Sequence, residues 1–256
     1  LPSADVRWLS GFSSGLFGAA EQFGCSLMGG DTTRGPLSIS ITAIGEVPSG
    51  QAVSRSGAKP GDVLYVTGCL GDGQVALHQL DFEAAESTAH KPALAEAGHQ
   101  SVRKDLTPED HAYLYRRFFR PEPRLAFADL ARNLMSSAID VSDGLHADAG
   151  HLARASAVEL CINLDQLPFS RSVLGLTSEA ERVNAALYGG DDYELCFTAE
   201  TACRDRIGEI AASAGLRVTE IGEVRHGNGV SLFDRGVAAT ADHQRGFDHF
   251  SRMETP

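Results

Sequence analysis

The sequence predicts a mixed α/β fold in which strands and helices interleave. Short β-rich runs alternate along the chain with segments of helical periodicity. Glycine, often beside aspartate, marks the junctions between them. A polar connector at residues 48–61, bearing proline and glycine, separates an early segment from the rest and reads as a domain boundary.

The elements follow in order. Residues 5–24 place Trp8, Leu9, Phe12, Leu16 and Phe17 at helical spacing, which predicts an amphipathic helix. Residues 37–47 alternate apolar and polar residues, with Leu37, Ile39, Ile41 and Ala43 on one side, which predicts a half-buried strand. After the connector, "DVLYVTG" (62–68) is a strand ending at glycine, and "GCLGDG" (68–73) turns into a helix. Residues 81–111 are acidic and alanine-rich and predict a helical, solvent-facing insertion in which His90, His99 and His111 face water. "FFRPEPR" (118–124) is a stiff proline segment before a helix at 125–134. Residues 137–156 predict a strand, an acidic turn and a helix. Residues 158–164 form a strand, and 186–199 a glycine-acid turn feeding another. A helix at 201–214 and strands at 216–224 and 229–234 close the chain.

Composition narrows the function. The 256 residues are 43% hydrophobic and 22% charged, as in ordinary globular proteins. A net charge of -12 argues against general nucleic-acid binding, which needs a cationic surface. It leaves room for a phosphorylated substrate held through Mg²⁺. No apolar run is long enough to cross a bilayer. Five scattered cysteines without CxxC spacing predict a reduced, cytoplasmic protein and no zinc site.

Three turns put aspartate beside glycine near a strand end: "GGDTT" (29–33), "IDVSDG" (139–144) and "GGDDYE" (189–194). Each alone is ordinary turn chemistry, because Asp bonds its own backbone and Gly accepts positive φ. Asp143 is also a candidate cap for the helix after it. Three in one chain point instead to a metal-nucleotide site built from separate loops. Mg²⁺ takes a few carboxylates plus substrate phosphates, and Asp140 and Asp143 are spaced to reach one ion. Ser142 adds a hydroxyl and a backbone N–H at a helix start, a seat for an anion. Arg34 and Arg55 are the candidate phosphate cations, although exposed arginines are usually only solvated. Phe247, in "GFDHF" (246–250), is either a packed aromatic or a stacking partner for a flat heterocycle. There is no GxxxxGK[ST], no kinase HRD or DFG set, and no GxSxG elbow. "GCLGDG" departs from the dinucleotide spacing GxGxxG.

Taken together, "GGDTTRGPLSISITAIGEVP" (29–48), "SRSGAKPGDVLYVTG" (54–68), "IDVSDGL" (139–145) and "GGDDYEL" (189–195) resemble the thiamine-monophosphate kinase family. That family lies within the wider aminoimidazole ribonucleotide synthetase-like group. The resemblance implies transfer of the γ-phosphoryl group of ATP to thiamine monophosphate, several Mg²⁺ ions and a homodimer. It implies two α/β domains with mixed sheets. Residues 1–56 would be the remnant of an N-terminal ATP-binding and dimerisation domain, and 57–256 the C-terminal domain. By motif, Gly30, Asp31, Arg55 and Ser142 are expected at ATP. Asp31, Asp140 and Asp143 are expected at Mg²⁺, and Asp191 and Phe247 at the thiamine substrate. Asp191 stands where the family commonly carries Glu. The family's segment ahead of the first helix, with further aspartates and a histidine, has no counterpart in these residues. The expectation is an incomplete N-terminal domain and metal cluster, with little or no turnover by these residues alone. Rival readings are aminoimidazole ribonucleotide synthetase, selenophosphate synthetase, a hydrogenase maturation protein, or a non-catalytic nucleotide-binding or dimerisation fragment.

Overall fold

A computed structural model describes residues 1–79 and 106–239. The chain divides into two compact units, residues 1–47 and 48–256. Phe247, His90, His99 and most of the expected insertion lie outside the described residues.

The first unit carries helix α1, Val6–Gln22. Asp5 starts it by accepting a hydrogen bond from the Trp8 N–H at 2.7 Å. The Trp8 and Phe12 rings stack at 5.4 Å, as helical spacing places them. The helix buries none of its residues. The strand expected at 37–47 does not form: Leu37, Ile39, Ile41 and Ile44 stay exposed and the segment joins no ladder. Alternation gives a segment two faces, but a strand also needs a partner, and none pairs with it among the described residues.

The second unit is built on a seven-stranded sheet. Its strands are β1 (Asp62–Thr67), β2 (Met135–Val141), β3 (Glu159–Asn163), β4 (Glu194–Glu200), β5 (Val218–Arg225), β6 (Gly229–Asp234) and β7 (Val237–Ala239). They lie in the order β2-β4-β1-β5-β3-β6-β7. All neighbours are antiparallel except β3 and β6. The unit's α-helices among the described residues are α2 (Asp72–Gln79), α3 (Pro108–Phe119), α4 (Leu125–Ala131), α5 (Leu145–Ser156), α6 (Arg171–Leu176), α7 (Glu179–Tyr188) and α8 (Arg204–Ser213).

Both faces of the sheet are covered, which explains why β1 is buried at every residue. Leu64 and Val66 pack with Ile139, Val141, Leu145 and Leu152, so α5 lies on one face. Val63 and Tyr65 pack with Phe127, Phe197, Ile207 and Ile210, so α4 and α8 lie on the other. A smaller cluster joins α2, α3, α6 and α7 through Val75, Leu114, Val173 and Ala185. Helices α3, α6 and α7 start at hydroxyl caps, Thr107, Ser170 and Ser178, the last completing a capping box with Glu181. No helix of the described residues is long and apolar enough to cross a membrane.

Candidate functional site

Strand pairing brings two of the acidic turns together. In the β2–β4 register Asp140 opposes Leu195 and Val141 opposes Glu194, so the end of β2 meets the start of β4. Beyond the ladder, the Tyr193 N–H donates to the Val141 carbonyl at 2.8 Å, and the Asp191 N–H to the Ser142 carbonyl at 3.0 Å. Glycine makes this approach possible. A Cβ on Gly190 would sit 2.4 Å from the Ser142 carbonyl oxygen, and one on Gly144 2.8 Å from the Gly189 and Leu187 oxygens. The 68–73 turn joins them, since a Cβ on Gly73 would meet the Gly190 oxygen at 2.5 Å. Asp191 and Tyr193 both hold positive φ, at 65° and 51°. Asp tolerates that conformation, whereas Tyr adopts it only where its surroundings enforce it.

This corner is anionic. Asp140 and Asp143 are exposed, and their carboxylates bond to nothing among the described residues. Asp191 is half-buried and accepts the Tyr193 hydroxyl at 3.0 Å. Burial, the bond to Asp191, and the charges of Asp191, Asp140 and Asp143 all push the Tyr193 phenol pKa up. Behind them Asp148 is buried, and its Oδ2 accepts the Ser142 N–H at 2.9 Å and the Asp143 N–H at 3.0 Å. Burial raises its pKa, and those two bonds only partly offset the shift. The anion seat expected at the Ser142 backbone is therefore filled by the protein's own carboxylate; the Ser142 hydroxyl has no bond among the described residues. Nor does Asp143 cap α5: the N-cap is Gly144, with no side-chain cap.

A buried polar network supports the corner. Arg124 grips Glu194 with two bonds, at 2.8 and 2.6 Å, and Thr67 donates to the same carboxylate at 2.6 Å. Arg117 bridges Glu194 at 3.2 Å and Asp72 at 3.1 Å, and donates to the Asp192 carbonyl at 2.9 Å. Tyr113 and Ser170 complete the shell of Asp72 at 2.7 and 2.6 Å. Burial works against the Arg117 charge, but Glu194, Asp72 and Asp192 outweigh it. Asp192 accepts the Gly71 and Gly73 N–H groups at 2.7 and 3.0 Å. The glycine turn at 68–73 thus holds a carboxylate of its own chain. Burial nevertheless pushes the Asp192 carboxyl up to about 7.

Arg55 lies on a ribbon against the outer edge of β2, a strand at one end of the sheet. The Ala138 N–H donates to the Ser54 carbonyl at 3.1 Å. Ser54 is therefore opposite a residue two short of Asp140, roughly 7 Å along the strand. Arg55 is exposed, and its guanidinium has no partner among the described residues. Strand pairing thus gathers Asp140, Ser142, Asp143 and Asp191 at one corner of the second unit, while Arg55 sits on the ribbon further back along β2, beside the last residue of α5.

Gly30 and Asp31 belong to the first unit, where both are exposed; among the described residues Asp31 accepts only the Thr32 N–H, at 2.7 Å. A hollow of about 800 Å³ in that unit, lined by Trp8, Phe12 and Leu37, holds none of the candidate residues. Among the described residues no three His, Cys, Asp or Glu side chains gather as a metal cluster. The donors at the corner still fit Mg²⁺: two free hard-oxygen carboxylates, with room for phosphate oxygens, are the usual protein share of such a site. Asp72, Arg117, Arg124, Asp148, Asp192 and Glu194 were not legible as site residues. Asp72, Asp192 and Glu194 carried a signal, each lying in a turn that pairs acid with glycine.

Comparison with known proteins identifies the lineage. The chain matches the AIR synthase related protein C-terminal domain over residues 59–235 and the corresponding N-terminal domain over 1–47. It is 38% identical over 252 residues to thiamine-monophosphate kinase of Escherichia coli K12, covering 98% of this chain and 71% of that protein. The chain belongs to the thiamine-monophosphate kinase family. The Salmonella typhimurium thiamine-monophosphate kinase is 36% identical over 254 residues, again with 71% of its length covered. The crystal structure of thiamine-monophosphate kinase from Stenotrophomonas maltophilia K279a superposes with a TM-score of 0.79 at 40% identity, over 93% of this chain and 70% of that one. AaThiL complexed with AMPPCP and TMP superposes at 0.67, with 26% identity over 98% of this chain and 71% of that one. These relatives confirm the fold expected from the four motifs.

Proposed function

We propose that this chain transfers the γ-phosphoryl group of ATP to thiamine monophosphate, giving thiamine diphosphate and ADP. The observation that carries the reading is 38% identity to a thiamine-monophosphate kinase along 98% of the chain. The AMPPCP and TMP bound to AaThiL support ATP and thiamine monophosphate as the substrate pair.

The residues take the following roles. Asp140 and Asp143 hold Mg²⁺ from the end of β2, and Asp31 is a further Mg²⁺ ligand. Mg²⁺ supplies charge neutralisation at the phosphates. The Ser142 hydroxyl and Arg55 bond the nucleotide, with Gly30 allowing close backbone approach. Asp191 meets the thiamine moiety, aided by Phe247. The accepting phosphate is largely ionised at neutral pH, its second pKa being about 6, so it attacks without a protein base. The chain's own work is positioning and charge balance. Residues 1–56 and 57–256 act as an N-terminal ATP-binding and dimerisation part and a C-terminal part, in a cytoplasmic homodimer.

The test is turnover by the full-length protein supplied with ATP, Mg²⁺ and a panel of acceptors. Thiamine diphosphate forming from thiamine monophosphate alone supports the reading. Turnover of aminoimidazole ribonucleotide precursor or selenide, with none of thiamine monophosphate, overturns it.

A further inference from the structure

Arg55 combines a free cation with a firmly held backbone, and one side chain does most of the holding. The Ser156 hydroxyl, on the last residue of α5, accepts the Gly57 N–H at 3.1 Å and the Ala58 N–H at 3.2 Å. The same hydroxyl donates to the Arg55 carbonyl at 3.1 Å. It therefore uses its one proton and both lone pairs on three backbone groups of the ribbon between Arg55 and Ala58. Two further features stiffen the segment. The Ser54 hydroxyl donates to the Ser56 carbonyl at 2.7 Å and lies 2.9 Å from the Ser56 hydroxyl, bridging across Arg55. Gly57, at φ 131°, lies so close to β2 that a Cβ would approach the Ser136 oxygen to 2.3 Å. Beyond these bonds the ribbon is exposed from Ser54 to Gly57, so packing alone does not fix it.

We propose that Ser156 is a positioning residue for nucleotide binding: its hydroxyl sets the backbone from which Arg55 reaches the phosphates. This rests on the reading of Arg55 as an ATP ligand. The first turn of α5 carries Asp148, which fixes the turn bearing Asp143, and its last residue fixes the ribbon bearing Arg55. One helix thus holds both the metal carboxylate and the phosphate cation at a set separation, so loss of either tie loosens the match to a nucleotide.

A double-mutant cycle in the full-length protein tests this. Calorimetry gives the Kd of AMPPCP with Mg²⁺, and kinetics give KM for each substrate. Arg55→Ala is expected to weaken AMPPCP by about tenfold or more, the loss of a charge-assisted phosphate bond. Ser156→Ala is expected to weaken it about three- to tenfold, raising KM for ATP but not for thiamine monophosphate. In the Arg55→Ala background, Ser156→Ala should add no further loss, and Ser156→Thr, which keeps the hydroxyl, should bind as the parent does. If Ser156→Ala does not fold, Ser156→Cys carries the same test, its thiol being a weak hydrogen-bonding group of similar size. Full affinity in the Ser156 variant beside weakened Arg55→Ala overturns the positioning role and leaves the ATP reading intact. An equal loss with or without Arg55 also overturns it, showing a general structural effect. Unchanged binding in Arg55→Ala removes the ATP reading of Arg55, and the proposal with it.

Discussion

Gly190→Ala probes the contact that brings the acidic turns together. The added Cβ would lie 2.4 Å from the Ser142 carbonyl oxygen, against 3.4 Å for ordinary contact, so the turns must part by about 1 Å. That opening stretches the 3.0 Å bond from the Asp191 N–H to the same oxygen beyond hydrogen-bonding range. The lost bond costs about 1 kcal/mol and the overpacking about 1–3 kcal/mol, together about 2–4 kcal/mol. In urea, with a slope near 2 kcal/mol/M, the midpoint should fall by about 1–2 M. Moving Ser142 and Asp143 by about 1 Å should also cut kcat/KM by up to about 100-fold. Gly208→Ala is the control. Nothing lies within 4 Å of its added Cβ and it sits inside α8, so it should stabilise by up to about 1 kcal/mol. An unchanged urea midpoint and unchanged turnover in Gly190→Ala would refute the interlocked-turn geometry.

Other perturbations probe the surroundings of the site. Glu194→Gln leaves Arg117 and Arg124 without their shared buried carboxylate and should cost about 3–5 kcal/mol in chemical denaturation; a loss below about 1 kcal/mol would contradict the network. Asp192 binds its proton more tightly folded than unfolded, its carboxyl rising from 3.8 to about 7. Its contribution is therefore complete below about pH 4 and declines as pH rises through 7, by an amount on the order of 4 kcal/mol. Subtracting the stability-pH curve of Asp192→Asn from that of the parent should expose this decline, and a flat difference would count against it. Asp143→Asn removes an exposed, unpaired carboxylate, so unfolding without metal should change by less than about 0.5 kcal/mol. Mg²⁺-dependent AMPPCP affinity should nevertheless drop at least about tenfold, and equal affinity in the variant would remove Asp143 from the metal site.

Local chemistry was legible where one segment carries the whole signal. The strands at 62–67 and 194–200 and the helix at 145–156 follow from runs of apolar residues bounded by glycine turns. The turns at 139–144 and 189–194 were visible as acid-glycine pairs, and strand pairing unites them. The segment at 37–47 shows the limit of pattern: its alternation is real, but a ladder depends on a partner elsewhere. Long-range partners were out of reach. Arg124 and Glu194 are 70 residues apart, and Ser156 and Arg55 are 101 apart. Asp148 was hidden by its neighbour: acid near a helix start suggests Asp143, yet the buried carboxylate one turn later takes the backbone bonds. The 68–73 glycine turn, which departs from the dinucleotide spacing, holds the Asp192 carboxylate on its backbone N–H groups, a partnership 119–121 residues apart that no local pattern shows.

The most direct measurement is an anomalous difference map from crystals of the full-length protein grown with Mn²⁺ and AMPPCP. A metal peak is expected at about 2.1 Å from oxygens of Asp140 and Asp143, shared with the nucleotide phosphates, with the Arg55 guanidinium hydrogen-bonded to the same nucleotide. Metal and nucleotide bound together at a place that none of these three side chains reaches would contradict that expectation.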